Sequence, residues 1–189
     1  MKRFLAISVI VIGLSFSLGA QEHSRPTPRN TPPPARTTPE QNEGWVRFNS
    51  ELGRFAVLMP ETPQEKSETT QSDHGPYTTH LFIVRDTRNV YLIGWVDYDP
   101  SFNFNRQAEL EANRDNFVKG ISATLVSTHA TTIDDYPVIE FTAETTDRTF
   151  KSRVYMVGRR PYQIVIGYPK DEPDPVSTNR FFNSFKVSP

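Results

Sequence analysis

Cysteine is absent from all 189 residues. Its absence removes disulfide scaffolds, thiolate zinc sites, iron–sulfur ligation and thiol catalysis together. Stability therefore has to come from packing. A charge of one sign is lacking too: 21 Lys plus Arg stand against 22 Asp plus Glu, a formal net charge of -1. Wrapping nucleic acid calls for a strongly basic face, so no nucleic-acid partner is expected. Glycine is sparse, nine in all and scattered singly, and there is no G-x-S-x-G, S-x-x-K or Walker loop. Nothing of that kind cradles a phosphate or presents a nucleophile. The four histidines, His23, His74, His80 and His129, include no pair at metal-ligand spacing and no HExxH, so neither a metal nor a cofactor is expected.

What is present divides the chain into three. Residues 1–20 open with Lys2-Arg3, run apolar from Phe4 to Leu18 and end Leu18-Gly19-Ala20, the layout of a secretory signal peptide. About 15 apolar residues are short for a membrane span, so the expected product is extracytoplasmic, periplasmic or secreted, with no stable span once the signal is cleaved. Residues 21–42 contain one apolar residue, Ala35, and prolines at 26, 28, 32, 33, 34 and 39. Such a stretch buries too little surface to offset its ordering entropy and reads as a disordered, extended spacer. Residues 43–189 have the length and composition of one ordinary globular domain.

Within that domain, short strands are expected at 45–48 and 54–59, with Pro60 and Pro63 ending the ladder. Further strands fall at 77–85 and 89–98; the second is apolar at both parities and belongs mid-sheet. A helix follows over 105–119, with Asn105 as its cap, Gly120 as its left-handed stop, Leu110, Phe117, Val118 and Ile121 inward, and Glu109 facing water. Four strands at 123–132, 137–145, 150–157 and 162–168 come next. If Thr146-Asp147 centres its hairpin, Glu140 pairs with Arg153 and Ile139 with Val154. Asp134-Asp135 reads as a solvated turn rather than paired acids. Asp174-Pro175 starts a last helix whose stripe is Thr178, Phe181, Phe182 and Phe185. This order is that of the α+β class: a single, largely antiparallel sheet of about six to eight strands with two helices packed on it.

The stretch Phe48-Asn49-Ser50-Glu51-Leu52-Gly53-Arg54-Phe55-Ala56-Val57-Leu58-Met59-Pro60 resembles the opening strands of a broad group of exported bacterial proteins of uncharacterised function. Val96-Asp97-Tyr98-Asp99-Pro100, Tyr136-Pro137-Val138-Ile139-Glu140, Arg153 to Gly158 and Phe181 to Lys186 fall where that group has similar segments. The architecture is similar to the Mog1/PsbP-like fold, an α/β/α sandwich. That resemblance implies non-enzymatic binding modules, since the wider fold includes an extrinsic photosystem subunit and a Ran-binding nuclear import factor. It carries over no functional residue.

One polar constellation stands out: Asp97-x-Asp99-x-Ser101-x-Asn103-x-Asn105. The alternation is that of a calcium loop, but position six is Phe102 rather than Gly and position twelve is Ala108 rather than Glu, so it reads as a strand end, a turn at Pro100 and a helix cap. Phe102 and Phe104 either line an apolar cleft beside it or tuck beneath the first helix. Asp97, Asp99, Phe102 and Phe104 are therefore the candidate ligand-binding residues, and no catalytic set is named. The expected function is an exported, non-enzymatic binding or assembly module of the cell envelope that recognises a protein or a small apolar ligand through one sheet face. The alternative is a secreted hydrolase working through dispersed carboxylates such as Asp97, Asp99 and Glu140.

Overall fold

The computed structural model describes residues 44–188, residues 74 and 104 excepted. The expected signal peptide and spacer lie outside the described residues. The strands are β1 (Val46–Ser50), β2 (Phe55–Met59), β3 (Gln64–Thr70), β4 (Tyr77–Arg85) and β5 (Val90–Tyr98), followed by helix α1 (Arg106–Gly120). After it come β6 (Thr124–Ile133), β7 (Tyr136–Glu144), β8 (Arg148–Val157), β9 (Arg160–Pro169), helix α2 (Pro175–Ser184) and the short β10 (Lys186–Val187).

Seven strands form one sheet in the order β3-β4-β5-β9-β8-β7-β6, and β1, β2 and β10 form a separate three-stranded sheet. All pairings are antiparallel. One expectation changes in kind: the first two strands do not extend the main sheet. β2 alternates, with Phe55, Val57 and Met59 buried, and packs that apolar face with α2 against the main sheet. The core there joins Phe55, Val57 and Met59 to Tyr91, Ile93, Trp95, Ile164, Phe181 and Phe185. On the opposite face α1 brings Leu110 and Phe117 onto Leu92, Ile139, Phe141, Val154 and Val165. β5 feeds both cores, odd residues into one and even residues into the other, as a doubly apolar central strand must.

β3 is a strand that apolar patterning does not disclose. Its sequence is QEKSETT and it is almost wholly exposed, yet it pairs from Gln64↔Ile83 to Thr70↔Tyr77. Pro60 and Pro63 thus end β2, and the chain passes from the three-stranded sheet to the edge of the main one, where a strand needs only one partner's ladder bonds.

The caps follow the sequence in part. Asn105 Oδ1 accepts from the backbone N–H of Gln107 at 2.9 Å and of Ala108 at 3.1 Å. At the other end Gly120 stays helical, and Ser122 takes the left-handed conformation with φ 53°. Ser122 N–H bonds Lys119 O at 3.1 Å and Ala123 N–H bonds Val118 O at 2.9 Å, a Schellman closure that places the left-handed residue two positions past the glycine. Glu109 is also not water-facing: it is 2% exposed, accepts from Tyr98 Oη at 2.5 Å and from Asn113 Nδ2 at 3.0 Å. The helix turns its Glu109–Leu110–Asn113–Phe117 side inward, and the Tyr98 hydroxyl supplies what the buried carboxylate needs.

Asp134 and Asp135 both have positive φ, 49° and 65°, and join β6 to β7 in a two-residue hairpin whose handedness matches strand twist. Glu140↔Arg153 and Ile139↔Val154 are partners as the hairpin count requires. Asp174 caps α2 by accepting from Ser177 N–H at 2.9 Å. Phe185 lies just past that helix in extended backbone and is still 4% exposed.

Candidate functional site

Asp97 ends the buried run of β5 and is the centre of a polar network. Its Oδ1 accepts from Arg160 Nε at 2.6 Å, its Oδ2 accepts from Trp95 Nε1 at 3.1 Å, and His80 Nε2 stands 3.4 Å from that second oxygen. His80 is buried and stacked on Trp95, with ring centroids 4.4 Å apart at 9°. Its Nδ1 is 2.9 Å from Ser67 Oγ. Arg160 also donates to Leu52 O at 3.1 Å, and Tyr162 Oη donates to Gly53 O at 2.8 Å. Burial pushes the Tyr162 hydroxyl up, against the pull of the neighbouring Arg160. The network fastens the turn between β1 and β2 to the end of the main sheet.

Asp99 does something different. Its Oδ1 accepts from the Ser101 hydroxyl at 2.6 Å and the Ser101 backbone N–H at 2.9 Å, and those bonds hold its carboxyl below the usual range. Phe102 N–H closes the same turn on Asp99 O at 2.9 Å. Phe102 is 4% exposed and packs with Tyr77, Val96 and Tyr98, the Tyr98 ring 4.6 Å away, rather than under α1. Phe104 lies outside the described residues. Arg159 spans the loop by donating to the carbonyls of Asp99 and Phe102. Asp97, Tyr98, Pro100, Arg159 and Arg160 line a cavity of about 390 Å³ at this end of the sheet. Among the described residues no group of three or more His, Asp or Glu is placed to hold a metal ion.

A second concavity lies on the α2 side of the sheet, where the helix leaves β6, β7 and β8 partly uncovered. It measures about 280 Å³ and is lined by Ser127, His129, Glu140, Lys151, Arg153 and Phe182, among others. Strand register explains why these residues meet. Cross-strand pairing aligns Ser127 with Thr142 and Lys151, and His129 with Glu140 and Arg153. Both rows face α2 because side chains alternate across the pleat. Arg153 Nε donates to Glu140 Oε1 at 2.6 Å while its guanidinium lies 4.8 Å from the centroid of Phe182. Lys151 and His129 have no ion-pair partner among the described residues.

The Glu140–Arg153 face is legible from the hairpin count alone. Lys151, His129 and Ser127 are not, since their joining requires the register of β6, which carries a bulge between Leu125 and Ser127. The signal available in sequence is the polar parity of Ser127, His129 and Thr131, which by itself reads only as a solvated strand face.

No family model matches the chain, and a search of curated proteins finds no significant match. Among solved structures, the chain is similar to the solution structure of cyanobacterial PsbP (CyanoP) from Synechocystis sp. PCC 6803, with a TM-score of 0.52 at 11% identity. The likeness covers 76% of this chain and 92% of that one. The fold of this chain is accordingly PsbP-like, an α+β sandwich with an antiparallel sheet between its helices.

Proposed function

We propose that the chain is an exported binding or assembly module of the cell envelope, delivered by residues 1–20, held off by the proline-rich spacer 21–42, and engaging its partner in the groove between α2 and β6–β8. The observation that carries this reading is the groove itself: a concave strip lined by Phe182 and by a cationic side chain, Lys151, that has no carboxylate partner among the described residues. Such a strip suits a polar or acidic segment with one apolar group, in which a carboxylate reaches Lys151 and the apolar group lies on Phe182. The resemblance to Mog1/PsbP-like proteins supports a binding role over a catalytic one.

The hydrolase alternative asks Asp97, Asp99 and Glu140 to act as acids or bases. Each is engaged elsewhere: Asp97 by Arg160, Asp99 by Ser101 and Glu140 by Arg153. The cavity beside Asp97 keeps that end of the sheet as a second candidate surface for a small ligand, with Asp97, Asp99 and Phe102 at or near it.

Crosslinking in the native envelope, with capture compared between wild type and Lys151→Glu, tests the groove. Loss of the captured protein in the variant supports it; equal capture refutes it. Mapping the mature N-terminus in fractionated cells tests export, and an N-terminus at Met1 in the cytoplasmic fraction would overturn that part.

A further inference from the structure

The two edges of the main sheet are built differently. β3, on one edge, carries Glu65, Lys66 and Glu68 in seven residues, charges of the kind that guard an edge against pairing with another strand. β6, on the other, runs ten residues as TLVSTHATTI, with no Asp, Glu, Lys, Arg, Pro or Gly, and its bulge between Leu125 and Ser127 leaves residues 127–133 as a regular stretch. Thr124 through Ala130 are all exposed, and Leu125 and Val126 stand 37% and 57% exposed. Six of the ten residues are Thr, Val or Ile, which favour a paired, pleated environment. α1 packs chiefly on β7 and β8 and reaches β6 through Arg114, whose Nη1 donates to Thr128 Oγ1 at 3.3 Å, and α2 packs on β2 and β9, so neither helix lies along the outer side of this edge.

We infer that two copies of this chain join through β6, antiparallel and edge to edge about a twofold axis, so that the two seven-stranded sheets become one continuous sheet. An antiparallel strand pair is self-complementary, which is what a closed isologous dimer needs. An edge tuned to a charged partner would carry opposing charge. β6 carries no permanently charged side chain of its own, and Arg114, which reaches it from α1 at Thr128, is paired with Asp115, so its residues meet their own copies with no like charges directly opposed. A ten-residue strand is roughly 33 Å long. At roughly 15 Å wide that strip gives about 1,000 Å² over both copies, the lower end for a specific interface, so a weak, reversible dimer is expected. This inference stands independently of the groove.

The test is sedimentation equilibrium at pH 8 on the protein with its native N-terminus, from about 1 to 200 µM, a range that brackets a micromolar dissociation constant. A reversible monomer–dimer equilibrium is expected. Ala130→Lys and Ala130→Glu should each weaken the dimer about tenfold or more by setting like charges on both strands of the pair, while an equimolar mixture of the two recovers it. Ala130→Gln should dimerise like wild type. Melting curves at low concentration verify that each variant is folded, and Ser127→Lys replaces any that is not. A wild type that stays monomeric throughout the range overturns the inference, as does a lysine variant that is folded and dimerises unchanged.

Discussion

Replacing Asp97 with alanine separates a residue that fastens the fold from one that works on a ligand. The substitution removes the acceptor for Trp95 Nε1–H, whose ring is 1% exposed, and the carboxylate opposite Arg160. A buried donor left without an acceptor costs about 1–3 kcal/mol. The ion pair contributes less, because the Asp97 side chain is 34% exposed and Arg160 24%; solvent screening holds it to about 1 kcal/mol. The sum is about 2–4 kcal/mol, which at roughly 2–4 °C per kcal/mol for a domain of this size lowers Tm by roughly 4–16 °C. Asp97→Asn keeps an oxygen for Trp95 and loses the charge, so it should lose only the ion-pair part, about 1 kcal/mol. The assay is thermal unfolding followed by circular dichroism, with a double-mutant cycle over Asp97→Ala and Arg160→Ala that should return about 1 kcal/mol of coupling. An Asp97→Ala protein that melts within about 1 °C of wild type would refute the assignment of these bonds to stability, and would move Asp97 to the ligand side of the ledger.

Four further outcomes follow from particular contacts. In Asp174, burial raises the carboxyl but is outweighed by the Ser177 backbone and side-chain bonds, so its folded value lies below the ordinary one; a depressed carboxyl stabilises fully above its unfolded value, near 3.8, and loses that contribution as pH falls through the folded one. Asp174→Ala should therefore cost about 0.5–2 kcal/mol at pH 7 in urea unfolding, and the difference from wild type should shrink as pH falls below 3.8 and through the depressed folded value. Ser122→Gly should stabilise by about 0.5–1 kcal/mol, because φ of 53° strains a residue with a Cβ; a destabilised variant would count against the Schellman geometry. Glu109→Ala should cost about 1–3 kcal/mol by removing the two hydrogen bonds its carboxyl accepts, from Tyr98 Oη and Asn113 Nδ2, measured by the same unfolding, and an unchanged stability would place Glu109 in water after all. Gln163 Oε1 is buried with no partner while its Nε2 donates to Ser152 Oγ at 3.1 Å, so Gln163→Leu combined with Ser152→Ala should be neutral or mildly stabilising, whereas either change alone destabilises.

The sequence alone determined those parts of this protein whose cause is local. Alternation and turn residues placed most strands, the double parity of residues 90–96 put β5 in the middle, Asn105 and Asp174 capped their helices, and counting outward from Thr146-Asp147 paired Glu140 with Arg153. Only the tertiary structure decided the rest, because each remaining feature depends on a partner far along the chain. β3 exists because β4 offers a ladder to an otherwise featureless polar stretch. Glu109 faces inward because Tyr98 is there to donate to it. Asp97 is engaged because Arg160, sixty-three residues later, returns on β9. The groove and the open edge share that origin: the registers of β6 on β7 and of β7 on β8 gather Ser127, His129 and Lys151 on one face, and the strand order leaves β6 outermost, and periodicity reports which face a side chain takes but not which strand lies beside it.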